Sequence, residues 1–273
     1  MCIRDRYKVE LKLMSLILIG FLASFFAGIA TSVGALACFF VKKISERFED
    51  TSLGFAAGVM LAASFFSLIV PGLDYAEELL GLTEVGAFLN VISGVIAGAL
   101  IIWFIQAKAP HEHFILGQSH NPEHRSKLSK IWLFIIAITL HNIPEGLAVG
   151  VGFGGGDIAR GTSLAIGIGL QNIPEGLAVA FSLMTVGYTR TRSFVIATIT
   201  GLFEPLFGLV GVSVVTIFLP ILPWALGFAA GAMLFVISHE IIPETHRRGH
   251  ENYATGGFLI GLIIMMSLDI LLG

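Results

Sequence analysis

Residues 131–183 read IWLFIIAITLHNIPEGLAVGVGFGGGDIARGTSLAIGIGLQNIPEGLAVAFSL, and this stretch decides the fold. It holds two apolar runs, at about 131–153 and 161–183, joined by a glycine-rich turn. Each is close to the 20 or so residues that cross roughly 30 Å of hydrocarbon as a helix. Inside them HNIPEGLAVG at 141–150 returns as QNIPEGLAVA at 171–180, thirty residues on. A glutamate in mid-membrane costs about 2.5–3.5 kcal/mol on insertion scales, so Glu145 and Glu175 are expected to face a bundle interior or a wet path. His141 and Glu145 stand at i and i+4 on one helical face, and Gln171 and Glu175 repeat the arrangement on the next helix. Two adjacent helices then present four ligands inward. Pro144 and Pro174 cannot donate to the carbonyls of Leu140 and Leu170, and tend to kink their helices there. Membrane helices tolerate such broken bonding where it lines a cavity or finds new partners, as at transporter binding sites. A kinked helix with a satisfied core histidine would account for one copy of the motif, but not for ligand and proline together twice.

Outward from this pair the chain keeps the same character. It is 55% hydrophobic and 13% charged, with a mean hydropathy of +0.88, against roughly a quarter charged in a soluble domain. Apolar stretches at about 13–41, 51–71, 85–107, 131–153, 161–183, 193–218, 222–243 and 255–272 predict an all-α polytopic membrane protein of eight transmembrane helices. Residues 1–12 read as a tail and 13–273 as one transmembrane domain, with no room for a separate soluble one. Cytoplasmic loops carry the excess of lysine and arginine. With the N-terminus outside, the inner loops hold eleven of the sixteen basic residues, the outer loops hold only Arg160, and the tail holds the remaining four. The expected orientation is therefore N-out and C-out. The opening MCIRDR does not resemble a cleaved signal sequence; an extraneous origin for it would remove Arg4 and Arg6 from the dissenting side of the count. The net charge of −3 and the lack of a long basic run give no reason to expect a nucleic-acid partner. Cys2 and Cys38 form no ligand-spaced pair, which argues against a disulfide framework or thiolate metal site. The polar loop 108–130, expected on the cytoplasmic side, carries His111, His113, His120 and His124, either a loose metal-catching tract or an ordinary solvated loop.

Carboxylates, imidazoles and prolines continue along the later spans, as Glu204-Pro205 in the sixth and His239, Glu240, Pro243 and Glu244 in the seventh. Imidazole and carboxylate without thiolate suit zinc, iron and manganese better than copper(I). Three buried glutamates facing two divalent ions make an electrostatically sensible pair of sites, to which Asn142, Gln171 and Asn172 add carbonyl oxygens without charge. Metal occupancy is then expected to be linked to protonation. Glu77 and Asp269, at the outer ends of spans two and eight, read either as a cation-attracting mouth or as solvated helix ends. His239 and Glu240 read either as ligands or as caps beside Arg247 and Arg248.

With HNIPEG in span four, QNIPEG in span five, GLFEP in span six and AAGAMLFVISHEIIPE in span seven, the chain resembles the ZIP (Zrt/Irt-like) metal transporters, and within them the GufA branch. The resemblance covers essentially everything after the leader. It implies a 3+2+3 arrangement of helices with metal moving toward the cytoplasm. It also implies a first site of His141, Glu145, Gln171 and Glu175, and a second of Asn142, Asn172 and Glu204, with Glu145 and Glu175 bridging. His239 and Glu240 would lie on the inner release path, and Glu77 and Asp269 near the entrance. Some relatives carry an acidic residue where this chain has Asn172, so the second site is less negative here.

The leading expectation is a transporter of Zn²⁺, with Cd²⁺, Fe²⁺ and Mn²⁺ as further substrates, in the plasma or inner membrane, with no catalytic cofactor and no enzymatic activity. An intramembrane metal-dependent hydrolase is the main competitor. A catalytic zinc has three protein ligands, an open water position and a nearby base, often announced as HExxH, which is missing here. A cation channel is a third reading, marked by weak saturation and no dependence on His141. The small-residue run Gly146, Gly150, Gly152 and Gly154 serves packing within the chain as readily as a homodimer contact.

Overall fold

The computed structural model describes the backbone of residues 3–108 and 122–272, and side chains within 13–108, 131–132 and 135–272. Among these residues every regular element is helical. In chain order they are α1 (Ile3–Phe40), α2 (Glu46–Leu80), α3 (Glu84–Lys108), α4 (Pro122–Gly154), α5 (Ile158–Thr185), α6 (Arg190–Ile217), α7 (Leu219–Thr245) and α8 (Glu251–Leu272). All eight contain a stretch long and apolar enough to cross a membrane. Three run well beyond the expected bounds, among them α2, which is helical from Glu46 to Leu80 where the apolar stretch covered only 51–71. α1 is helical back to Ile3, and α4 begins at Pro122, inside the segment read as a loop. Proline fits a first helical turn, where its missing N–H leaves nothing unsatisfied. His111, His113 and His120 lie outside the described residues, and so does the side chain of His124.

Short polar caps mark the turns. The side chains of Ser45, Asp157 and Thr189 accept the N–H groups of Phe48, Arg160 and Arg192 at the starts of α2, α5 and α6. Gly81, with φ of +64°, closes α2 in the left-handed conformation that favours glycine.

The helices pack as two groups, α1 with α4, α5 and α6, and α2 with α3, α7 and α8. Lipid offers no hydrophobic drive for helix association, so close backbone approach at small residues carries it. Glycines make that approach within both groups. A side chain on Gly54 or Gly58 of α2 would collide with the carbonyls of Ala254 and Phe258 of α8, and one on Gly227 or Gly231 of α7 with those of Val91 and Val95 of α3. Gly28 of α1 and Gly201 of α6 each stand against the carbonyl of the other. Between the groups the glycines meet side chains instead, Gly167 of α5 against Met265 of α8 and Gly155 against Leu222 of α7.

These contacts obey a pseudo-two-fold relation. LGFAAG at 53–58 in α2 recurs at 226–231 in α7, and Gly94 and Gly98 of α3 recur at the same spacing as Gly257 and Gly261 of α8. Each glycine contact between α2 and α8 then has its counterpart between α7 and α3. Because consecutive spans alternate in direction, α6–α8 run opposite to α1–α3, an inverted repeat around the α4/α5 pair. This is the 3+2+3 arrangement. Both α2 and α7 also carry a π-helical segment, Ala63–Ile69 and Ile237–Ile241, just before Pro71 and Pro243. Such segments add a residue to a turn, rotate the facing of the next turn and cluster at functional sites.

Candidate metal pathway

α4 and α5 place their i, i+4 faces toward the interior. His141, Asn142, Glu145, Gln171, Asn172, Glu175 and, from α6, Glu204 are all buried. Their amides hold them in register. Asn142 Nδ2 donates to the Thr200 carbonyl of α6 at 2.6 Å, and Asn172 Nδ2 donates to the Ala27 carbonyl of α1 at 2.8 Å. These bonds are counterparts under the inverted repeat. Asn172 Nδ2 also reaches Glu204 Oε1 at 2.6 Å, and Gln171 Nε2 donates to Glu145 Oε1. The helix of α6 is interrupted at Leu202, since Pro205 cannot donate to the carbonyl four residues back. The break lets Glu204 enter the interior beside Asn172.

With the amide N–H groups tied in this way, the oxygens remain. Asn142 Oδ1, Asn172 Oδ1, Gln171 Oε1, Glu145 Oε2, Glu204 Oε2 and both Glu175 oxygens are buried without a hydrogen-bond partner. A native interior rarely leaves so many polar atoms unpaired, and each such group calls for a role. Together with the His141 imidazole they form an oxygen-rich, thiolate-free donor set of the kind that takes zinc, iron or manganese. Among the described residues no three His, Cys, Asp or Glu side chains converge on one point. Amides interleave with the carboxylates instead, so the donors run as a string across the bundle.

The structure separates the two residues expected on a release path. Glu240 turns inward, its Oε2 lying 3.1 Å from His141 Nε2, while its Oε1 accepts from Gln106 Nε2 of α3. His239 is exposed and stacks on Phe235, ring centroids 5.0 Å apart. At the opposite end Asp269 of α8 accepts from Ser67 Oγ of α2 at 2.8 Å, and Glu77 is exposed on the surface. Ser67 lines a small cleft with Tyr75, Asp157, Arg160 and Leu164. Gln106, Ser67 and Asp157 belong to none of the sequence motifs. A polar residue in an apolar span was the available signal for Gln106, but a single uncharged side chain near a span end carries little weight by itself.

A polar cluster ties the α7–α8 turn to the start of α2. Arg248 bridges Glu49 at 2.6 Å, with Asp50 and Glu244 each at 3.5 Å. The buried Asp50 also meets His250 Nδ1 at 2.9 Å. Burial pulls the Arg248 guanidinium down, but its hydrogen bond to Glu49 and the charges of Glu49, Asp50 and Glu244 outweigh this and raise it above its usual value.

An inverted repeat of membrane-length helices around a buried string of carboxylate, amide and imidazole defines a polytopic carrier of metal cations. The family model described as ZIP zinc transporter matches residues 107–269. Zinc transporter ZIPB of Bordetella bronchiseptica is 47% identical over 244 residues, covering 89% of this chain and 78% of that protein. Zinc transporter GufA of Myxococcus xanthus is 41% identical, covering 93% and 99%, and the human zinc transporter ZIP11 is 34% identical, covering 92% and 96%. The chain belongs to the ZIP family.

Proposed function

We propose that this protein carries zinc across a cell membrane into the cytoplasm by exposing a midplane site alternately to its two sides. The observation that carries the reading is the set of buried, unpartnered oxygens on Glu145, Gln171, Glu175, Asn142, Asn172 and Glu204, in a chain whose relatives are zinc transporters. His141, Glu145, Gln171 and Glu175 would hold the first ion. Asn142, Asn172 and Glu204 would form a second, less negative position, bridged to the first by Glu145 and Glu175. Cd²⁺, Fe²⁺ and Mn²⁺ share the ligand preferences of this set and are further candidate cargo. The excess of basic residues in alternate loops supports N-out and C-out in the cytoplasmic or plasma membrane. Asp269 and Ser67 would then stand on the outer side, near Glu77, with the Glu240 end inside. Loop capture by His111, His113, His120 and His124, and a homodimer, belong to the same reading.

The test is uptake of radioactive zinc by proteoliposomes holding the purified chain. Saturable uptake, competed by cadmium and reduced at least about a hundredfold by Glu145→Ala and by His141→Ala, is the expected result, since removing a ligand costs more than the roughly 10–100-fold typical of supporting residues. Wild-type vesicles that take up no zinc would sink the proposal.

A further inference from the structure

Thr31 of α1 is almost wholly buried, and its hydroxyl has no hydrogen-bond partner. A threonine inside a helix can turn its hydroxyl back to the carbonyl four residues earlier, as Thr139 and Thr216 do here. For Thr31 that carbonyl belongs to Ala27, which instead accepts the Asn172 amide. The inverted repeat gives the unpaired hydroxyl a place. The register that matches LGFAAG at 53–58 to LGFAAG at 226–231, carried back without a gap into α1 and α6, sets Ala27 on Thr200, Gly28 on Gly201 and Thr31 on Glu204. Three sets of contacts obey it. The Ala27 and Thr200 carbonyls accept the amides of Asn172 and Asn142. A side chain on Gly28 would meet Glu204 Cβ at 3.3 Å, and one on Gly201 would meet Thr31 Cβ at 2.8 Å. Gly146 of α4 stands against the Glu204 carbonyl, and Gly176 of α5 against the Thr31 carbonyl. Thr31 therefore occupies in the first half of the chain the position that Glu204 occupies in the second.

We propose that Thr31 belongs to the second ion position, its hydroxyl holding a water molecule on the ion across from the Glu204 carboxylate. This rests on the transport reading above and brings a fourth helix, α1, into the site. Under the pseudo-two-fold relation the donors of that position fall into pairs, Asn142 with Asn172 and Glu145 with Glu175. Glu204 is left single until Thr31 is set against it. With Thr31 the set closes at six oxygen-bearing side chains, the number of donors that an octahedral ion takes. A threonine oxygen stands one bond from Cβ and a glutamate oxygen three, so the shorter side chain reaches the ion through a water. Such a bridge is nearly as favourable as a direct hydrogen bond. The hydroxyl that has no partner in the protein thereby gains one when the ion is held, as do the free oxygens of Asn142, Asn172 and Glu204.

Thr31→Val keeps the shape of the side chain and removes the hydroxyl. Because an unpaired buried polar group is lost, the metal-free melting temperature is expected to hold or rise. Zinc affinity in detergent, read by titration calorimetry, is expected to fall on the order of tenfold. A hydroxyl that served packing alone would leave that affinity unchanged. Exchange of the two counterparts is the second measurement. Glu204→Thr is expected to lose one of two bound zinc ions, and Thr31→Glu added to it is expected to restore that ion, because the carboxylate then stands at the equivalent place across the pseudo-two-fold axis. Wild-type zinc affinity in Thr31→Val overturns the proposal and leaves the transport reading intact. So does a folded double variant that binds no more zinc than Glu204→Thr alone. A wild-type chain that binds no zinc removes both.

Discussion

At the scale of single residues, this interior is governed by which end of each amide is tied. Asn172 gives its N–H to Ala27 and Glu204; an aspartate there would leave a buried carbonyl unpaired and set two carboxylates against each other. A buried polar group left unsatisfied costs about 1–3 kcal/mol. Asn172→Asp is therefore expected to lower the metal-free melting temperature by several degrees, and saturating zinc is expected to raise it by more than in the wild type, because a ligand that binds only the folded state stabilises it by mass action. Thermal melts with and without zinc decide the matter, and equal zinc-induced shifts in the two proteins would refute it. Asp50 makes a similar case at the α7–α8 turn. Asp50→Ala strips a partner from both Arg248 and His250 and is expected to destabilise by about 1–3 kcal/mol, read as earlier loss of helix in thermal circular dichroism.

At the scale of helices, glycine position separates packing from propensity. Gly231 lies against the Val95 carbonyl, whereas Gly256 has nothing within 4 Å of where a side chain would begin. Gly231→Ala must push α3 and α7 apart and is expected to reduce the yield of folded protein and its melting temperature. Gly256→Ala is expected to be neutral or to gain up to about 1 kcal/mol, the difference in helix propensity. Equal behaviour of the two in a fluorescence size-exclusion stability assay would count against glycine-mediated packing. The same scale shows what sequence reading made legible. The i, i+4 pairs on α4 and α5 and their prolines were plain, because ligand spacing and the helical period coincide there. The fates of His239 and Glu240 were not, since the π-helical segment at Ile237–Ile241 departs from the period on which such readings rest.

At the scale of the molecule, backbone-to-backbone glycine contacts lie within each helix group, and the glycine contacts between groups are with side chains, chiefly those of Met265 and Leu222. Backbone packing resists shear, while flexible side chains permit it, so the two groups are expected to shift past one another as units. With Cys2 and Cys38 replaced by serine, Gly167→Cys and Met265→Cys joined by a short reducible crosslinker should abolish zinc uptake but leave zinc binding in place, and reduction should restore uptake. Uptake that survives complete crosslinking would mean that transport needs no relative motion of α5 and α8.

By itself the sequence determined the membrane class, the eight spans, the α4/α5 motif pair and the seven interior residues, because apolar length and ligand spacing are local properties. It also contained LGFAAG twice, but the distance along the chain between 53–58 and 226–231 and the scattered glycines of the partner helices hid the inverted repeat. The tertiary structure decided which amide ties which carboxylate, brought Gln106 to Glu240 and carried Glu240 across to His141. Those pairings join residues far apart in the chain through the packing of separate helices, and no local period encodes them.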